Sequence, residues 1–79
     1  MSLGRKIHAL REERRMSQTD LAERARIGQA IISRLEAGLQ HEVRSGVLKR
    51  LAEALGCTTD WLVGMHEEED RNLRPVAMA

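Results

Sequence analysis

Apolar residues along this chain recur at three- and four-residue intervals, in short runs separated by glycine and small polar residues. Leu3, Ile7 and Leu10 fall at i, i+4 and i+7, which predicts a first helix over 3–14 with one apolar stripe. Arg5, Lys6, Glu12 and Glu13 read as its polar face. Ser17 reads as an N-cap whose hydroxyl satisfies an orphan N–H, and Asp20, three residues on, completes a capping box of the Ser-x-x-acid kind. A second helix follows over 18–25, burying Leu21, Ala22 and Ala25. After a three-residue connection, Arg26-Ile27-Gly28, a third helix over 29–36 buries Ile32 and Leu35, and Gly38 marks its stop. Val47, Leu48, Leu51, Ala52 and Leu55 share one face of a fourth helix over 45–55, ended by Gly56. Thr58 caps a short fifth helix over 59–63, expected to bury Trp61 and Leu62, and Gly64 closes it. No segment alternates with a period of two, so the expected fold class is all-α.

Two short helices joined by three residues, the second with a small polar outer face, have the layout of a helix-turn-helix. Each residue type suits its place. Ala22 lies where the helices would cross and is small enough to let them approach. Ile27 fills the gap at the turn, and Ile32 and Leu35 anchor the third helix from beneath. Gln29, Ala30, Ser33 and Arg34 then face outward.

Composition narrows the reading. The chain has 79 residues, enough for one domain, with 42% hydrophobic and 32% charged residues. Phe and Tyr are absent and Trp61 is the single aromatic, so the core must be aliphatic, which favours helices. A lone cysteine, Cys57, excludes an internal disulfide and reads as a small buried hydrophobe in a reducing compartment. No long apolar stretch opens the sequence, so neither signal peptide nor membrane span is expected and the expected location is cytoplasmic. The net charge of +1 hides an asymmetry. Residues 1–36 carry eight Lys/Arg against five acids, whereas residues 65–79 carry four acids against two arginines. A basic half hints at a polyanion partner, although solvated helix faces would look the same.

The order and spacing of five short motifs resemble the Cro/CI-type (Xre-like) helix-turn-helix repressors of bacteria and phages, including the lambdoid phage repressors. The motifs are Leu10-Arg11-Glu12-Glu13-Arg14, Ser17-Gln18-Thr19-Asp20-Leu21-Ala22-Glu23, Ile32-Ser33-Arg34-Leu35-Glu36, Leu51-Ala52-Glu53-Ala54-Leu55-Gly56 and Asp60-Trp61-Leu62-Val63-Gly64. The resemblance covers roughly residues 3–64, nearly the whole chain. It implies a five-helix, lambda-repressor-like domain over residues 1–64, with the helix-turn-helix formed by helices two and three. It also implies sequence-specific binding of a double-stranded DNA operator by a homodimer. By position, Gln29, Ala30, Ser33 and Arg34 match the residues that meet base edges in the major groove. Gln18, at the positive end of helix two, matches a phosphate contact. Thr19, Arg15, His41 and Arg44 complete the expected phosphate contacts. Arg11 and Glu36 match a structural ion pair between helix one and the end of helix three.

The sequence departs from the family at several points. Arg15 and Arg26 stand where glycine is common and the backbone often needs positive φ, at a cost of roughly 1 kcal/mol each. Gly28 replaces the usual Ser or Thr cap of the recognition helix. The loop over 37–44 is about one residue longer than typical, lacks the expected proline and offers only His41 and Arg44 to phosphates.

Other chemistry finds little support. His8, His41 and His66 share no ligand spacing with each other or with Cys57, so no metal, no cofactor and no enzymatic activity are expected. The competing reading is a protein-interaction module of the same fold, such as the antitoxin of a toxin–antitoxin pair. Its discriminating feature is the tail over 65–79, acidic and then mildly apolar from Leu73 to Met78. That tail reads either as frayed disorder or as a contact across a dimer axis or with a protein partner.

Overall fold

A computed structural model of the chain describes residues 2–64. They form five α-helices: α1 (Leu3–Glu13), α2 (Gln18–Ala25), α3 (Gln29–Ala37), α4 (Ser45–Leu55) and α5 (Thr59–Leu62). The described residues contain no strand. Expected and observed boundaries differ by one residue at three helix C-termini, where fraying and capping compete. The tail over 65–79, with its two readings, lies outside the described residues.

Local chemistry sets where the helices begin. Ser2 accepts a hydrogen bond from the Arg5 amide at 3.2 Å, and Thr58 accepts one from the Trp61 amide at 3.1 Å. At Ser17 the capping box is reciprocal. The Asp20 amide donates to Ser17 Oγ at 2.9 Å while the Ser17 amide donates to Asp20 Oδ2 at 3.1 Å. That bond from the Ser17 amide is the main reason the Asp20 carboxyl sits below its ordinary pKa, with the Ser17 hydroxyl and Arg24 adding to it. Gly28 and Arg44 stand at the N-caps of α3 and α4 without a side-chain bond.

The helix ends follow from handedness. Gly38 and Gly56 take φ of 79° and 72°, at the C-caps of α3 and α4. Arg15 and Arg26 hold φ of 57° and 58°, so both departures noted in the sequence are accommodated in the left-handed region rather than relieved. At the α2–α3 turn the Ile27 amide donates to the Ala22 carbonyl at 3.0 Å, folding the chain back on α2.

The core is aliphatic. Ile7, Leu21, Ile32, Leu51 and Leu55 are fully buried, and Ala22, Ala25, Leu35, Ala52 and Leu62 nearly so. α1 and α2 both pack on α3, α4 packs on α2, and α5 closes the bundle against α4 and α1. Met16 joins the core from the α1–α2 connection. One glycine is required by packing. A Cβ on Gly4 would overlap the Leu35 carbonyl oxygen and lie 2.6 Å from its carbonyl carbon, so α1 rests directly on the α3 backbone.

Two sequence expectations are corrected together. Lys6, assigned to the polar face, is only 6% exposed, and Trp61, expected to be buried, is 36% exposed. The Lys6 ammonium donates to the Trp61 carbonyl oxygen at 2.6 Å and lies 4.7 Å from the centre of its ring. The lysine stem is covered as it spans from α1 to α5, and the indole forms its outer lid. A buried ammonium therefore has both a hydrogen-bond acceptor and a π face. Cys57 is half-buried rather than fully enclosed, and burial pushes its thiol pKa up against the opposing pull of Arg14 and Lys6.

Candidate nucleic-acid interface

The outer face of α3 is assembled by the burial of its inner one. With Ile32 and Leu35 locked in the core, Gln29, Ala30, Ser33 and Arg34 are all exposed, one and two turns along the same helix. Thr19, Arg15, His41 and Arg44, the other residues implicated in phosphate contact, are also exposed; Gln18 is half-buried.

The anchor of this surface is Glu36. Arg11 grips it through two bonds, Nε to Oε2 and Nη2 to Oε1, both at 2.8 Å. The two side chains are only 12% and 8% exposed. Arg11 Nη1 also donates to the Met16 carbonyl at 2.9 Å, which ties the end of α1 to the connection before α2. Burial raises the pKa of the Glu36 carboxyl, but hydrogen bonds from Arg11, His8 and Gln18 outweigh it and hold the group below its ordinary value. The same bond raises Arg11. Glu36 is therefore an obligate acceptor at neutral pH.

That fact fixes the polarity of the side chains above it. Gln18 Nε2 donates to Glu36 Oε1 at 3.2 Å, which turns the Gln18 oxygen toward α3, where Gln29 Nε2 donates to it at 2.8 Å. A flipped Gln18 would set its oxygen against the carboxylate, and a flipped Gln29 would set its oxygen against that of Gln18. Gln29 is left with one Nε2 hydrogen and its oxygen. A donor beside an acceptor is the pattern that matches N7 and N6 of adenine in the major groove. Gln18 keeps one Nε2 hydrogen at the start of α2, where the helix end favours an anion.

Arg34 is held differently. Its Nε donates to Gln40 Oε1 at 3.1 Å, and Gln40 Nε2 donates to the Glu42 carbonyl at 2.9 Å. The two terminal nitrogens of Arg34 have no partner among the described residues. Gln40 was not singled out from the sequence, because a glutamine in a loop carries no periodic signal. On the far side, Arg50 Nε donates to the Ala25 carbonyl at 3.1 Å and so braces the end of α2 from α4. Among the described residues no group of three or more His, Cys, Asp or Glu could hold a metal ion, and no helix is long and apolar enough to cross a membrane.

A family model described as helix-turn-helix matches residues 7–62, which spans α2, the turn and α3 together with most of their supporting helices. The chain belongs to the helix-turn-helix family. The resemblance to Cro/CI-type regulators read from the motifs stands on the same ground. This helix-turn-helix chain is also similar to the HTH-type transcriptional repressor RghR of Bacillus subtilis (strain 168), with 41% identity over 54 residues. The aligned part is 68% of this chain and 40% of that relative. The helix-turn-helix chain thus spans well under half the length of the relative it matches. No solved structure matches it significantly.

Proposed function

We propose that this domain binds double-stranded DNA sequence-specifically as a transcriptional repressor, acting as a homodimer on a palindromic operator. The observation that carries the reading is the fixed amide of Gln29, oriented through Gln18 by the Arg11-bound carboxylate of Glu36. A surface side chain with no task would keep its rotamer freedom; this one is held with an acceptor and a donor presented outward. α3 lies in the major groove, with Gln29 pairing with adenine, Ala30 against a thymine methyl and Arg34 on guanine or a nearby phosphate. Ser33 completes the reading face. Gln18, Thr19, Arg15, His41 and Arg44 contact the flanking phosphates and set register without reading sequence. Two domains related by a two-fold axis would place their recognition helices about 34–36 Å apart, one turn of the duplex.

The test is selection of bound duplexes from a random pool, followed by the Gln29→Ala variant. A palindromic consensus is expected from the wild-type chain. The variant should lose preference at one position per half-site, worth about 1–3 kcal/mol, with its fold intact. Equal weakening on every sequence would make Gln29 a backbone contact. No enrichment at all would sink the repressor reading and favour a protein partner.

A further inference from the structure

Beside the reading face lies an open depression of about 660 Å³ between α1 and α3, lined by Arg5, His8, Gln18, Ser33, Glu36 and Ala37. We propose that it receives a phosphodiester group of the DNA backbone, held by Arg5. The proposal rests on the DNA-binding reading above and adds a contact from α1, which that reading leaves without one.

Three observations carry it. The depression is continuous with the reading face, because Ser33 and Gln18 form part of its wall. Arg5 is exposed, and its guanidinium has no ion pair or hydrogen bond among the described residues. A cation kept out of the fold's own pairing, at the edge of a surface that meets a polyanion, is in place for a phosphate. Glu36, the one acid in the wall, does not repel such a group strongly, because Arg11 already neutralises it through two bonds.

His8 forms part of the same wall. Its Nδ1 lies 3.0 Å from Glu36 Oε1 and 3.1 Å from Arg11 Nη2, and its Nε2 lies 3.6 Å from Glu12 Oε2. A bare Nδ1 accepts from Arg11, and a protonated Nδ1 donates to Glu36, so the ring has a partner in either state. The charged groups around it are Arg5, Arg11 and Glu12 on α1 and Glu36 on α3; α2 contributes only the neutral Gln18. Two guanidiniums thus face two carboxylates, so the surroundings of the depression carry no net negative charge to repel a phosphate.

The experiment titrates a fluorescein-labelled random-sequence duplex with the full chain, across about 50–200 mM salt. Such a probe reports phosphate contacts alone, since non-specific binding carries no base readout. Arg5→Ala should lower the salt slope by about 0.9 and weaken binding roughly eightfold near 0.1 M salt. Arg5→Lys should restore most of both, and thermal melts should confirm that all variants are folded. Arg5→Ala with the wild-type slope would overturn the phosphate site. A wild-type chain that binds no duplex at any salt would overturn this proposal and the DNA-binding reading together.

Discussion

The direct seating of α1 on α3 makes an alanine at position 4 a decisive perturbation, because two opposing effects can be weighed. Gly4 and Gly46 are each the second residue of an eleven-residue helix, α1 and α4. Intrinsic helix propensity would stabilise a Gly→Ala change at either place by up to about 1 kcal/mol. At Gly46 nothing lies within 4 Å of the new Cβ, so that gain should appear in full. At Gly4 the Cβ would overlap the Leu35 carbonyl oxygen and sit 3.2 Å from Glu36 Cα. These neighbours are backbone, so no side chain can swing away and α1 itself must shift by close to an ångström. Overpacking of this kind costs typically 1–3 kcal/mol, and the rigid partner places it in the upper half of that range. Sterics should therefore win at Gly4, for a net loss of roughly 1–2 kcal/mol. A domain of this size shifts its midpoint by about 4–8 °C per kcal/mol. Thermal melts followed by circular dichroism at the helix band should thus show Gly4→Ala lowered by roughly 4–16 °C and Gly46→Ala raised by a few degrees. Equal midpoints, or a Gly4→Ala protein more stable than the wild type, would refute the close contact of the two helices. The displaced α1 would also draw Arg11 away from Glu36, so DNA affinity should fall by more than the unfolded fraction explains.

Three further outcomes are expected. Glu36→Gln keeps the shape but sets an NH₂ group among donors, and it should cost roughly 2–3 kcal/mol in chemical denaturation; a loss under about 0.5 kcal/mol would deny the pair its structural role. Glu36 and Asp20 both have depressed pKa values in the fold, so the unfolded chain binds their protons more readily. Stability should hold above their ordinary range near pH 4, then fall as pH drops until both protonate in the fold, and this dependence should be shallower in Glu36→Gln. Arg26→Gly removes a side chain from φ of 58° and should raise the midpoint by a few degrees, less than the full strain because the unfolded chain gains freedom. A lower midpoint in that variant would show that Arg26 is unstrained.

The helices were legible because their signals are local. A period near 3.6, the Ser17–Asp20 box and stop glycines at 38 and 56 each act within a turn of where they are read. The strained Arg15 and Arg26 were legible through their departure from the family pattern. What escaped depends on partners distant in sequence. Lys6 looked like a surface lysine because its acceptor, the Trp61 carbonyl, lies 55 residues away. Met16 sits in a connection, where no periodic stripe marks it as core. Gly4 resembled an ordinary weak helix residue, since only the approach of α3 makes it necessary. At the site, the outward residues of α3 followed from its inward ones. The orientation of Gln29 did not, because it is set by a chain of bonds that crosses three helices.

The lid over Lys6 has a consequence for how the molecule can be watched. Trp61 is the sole aromatic residue of the chain, so near-ultraviolet absorption and intrinsic emission come from one chromophore at the α1–α5 junction. Its spectrum is blind to the outer face of α3 and sensitive to the loosening of the short α5. Backbone dichroism, by contrast, sums over every helix. Where emission and dichroism disagree along a melt, the gap measures opening of that junction ahead of global unfolding, a local stability readable without any added label.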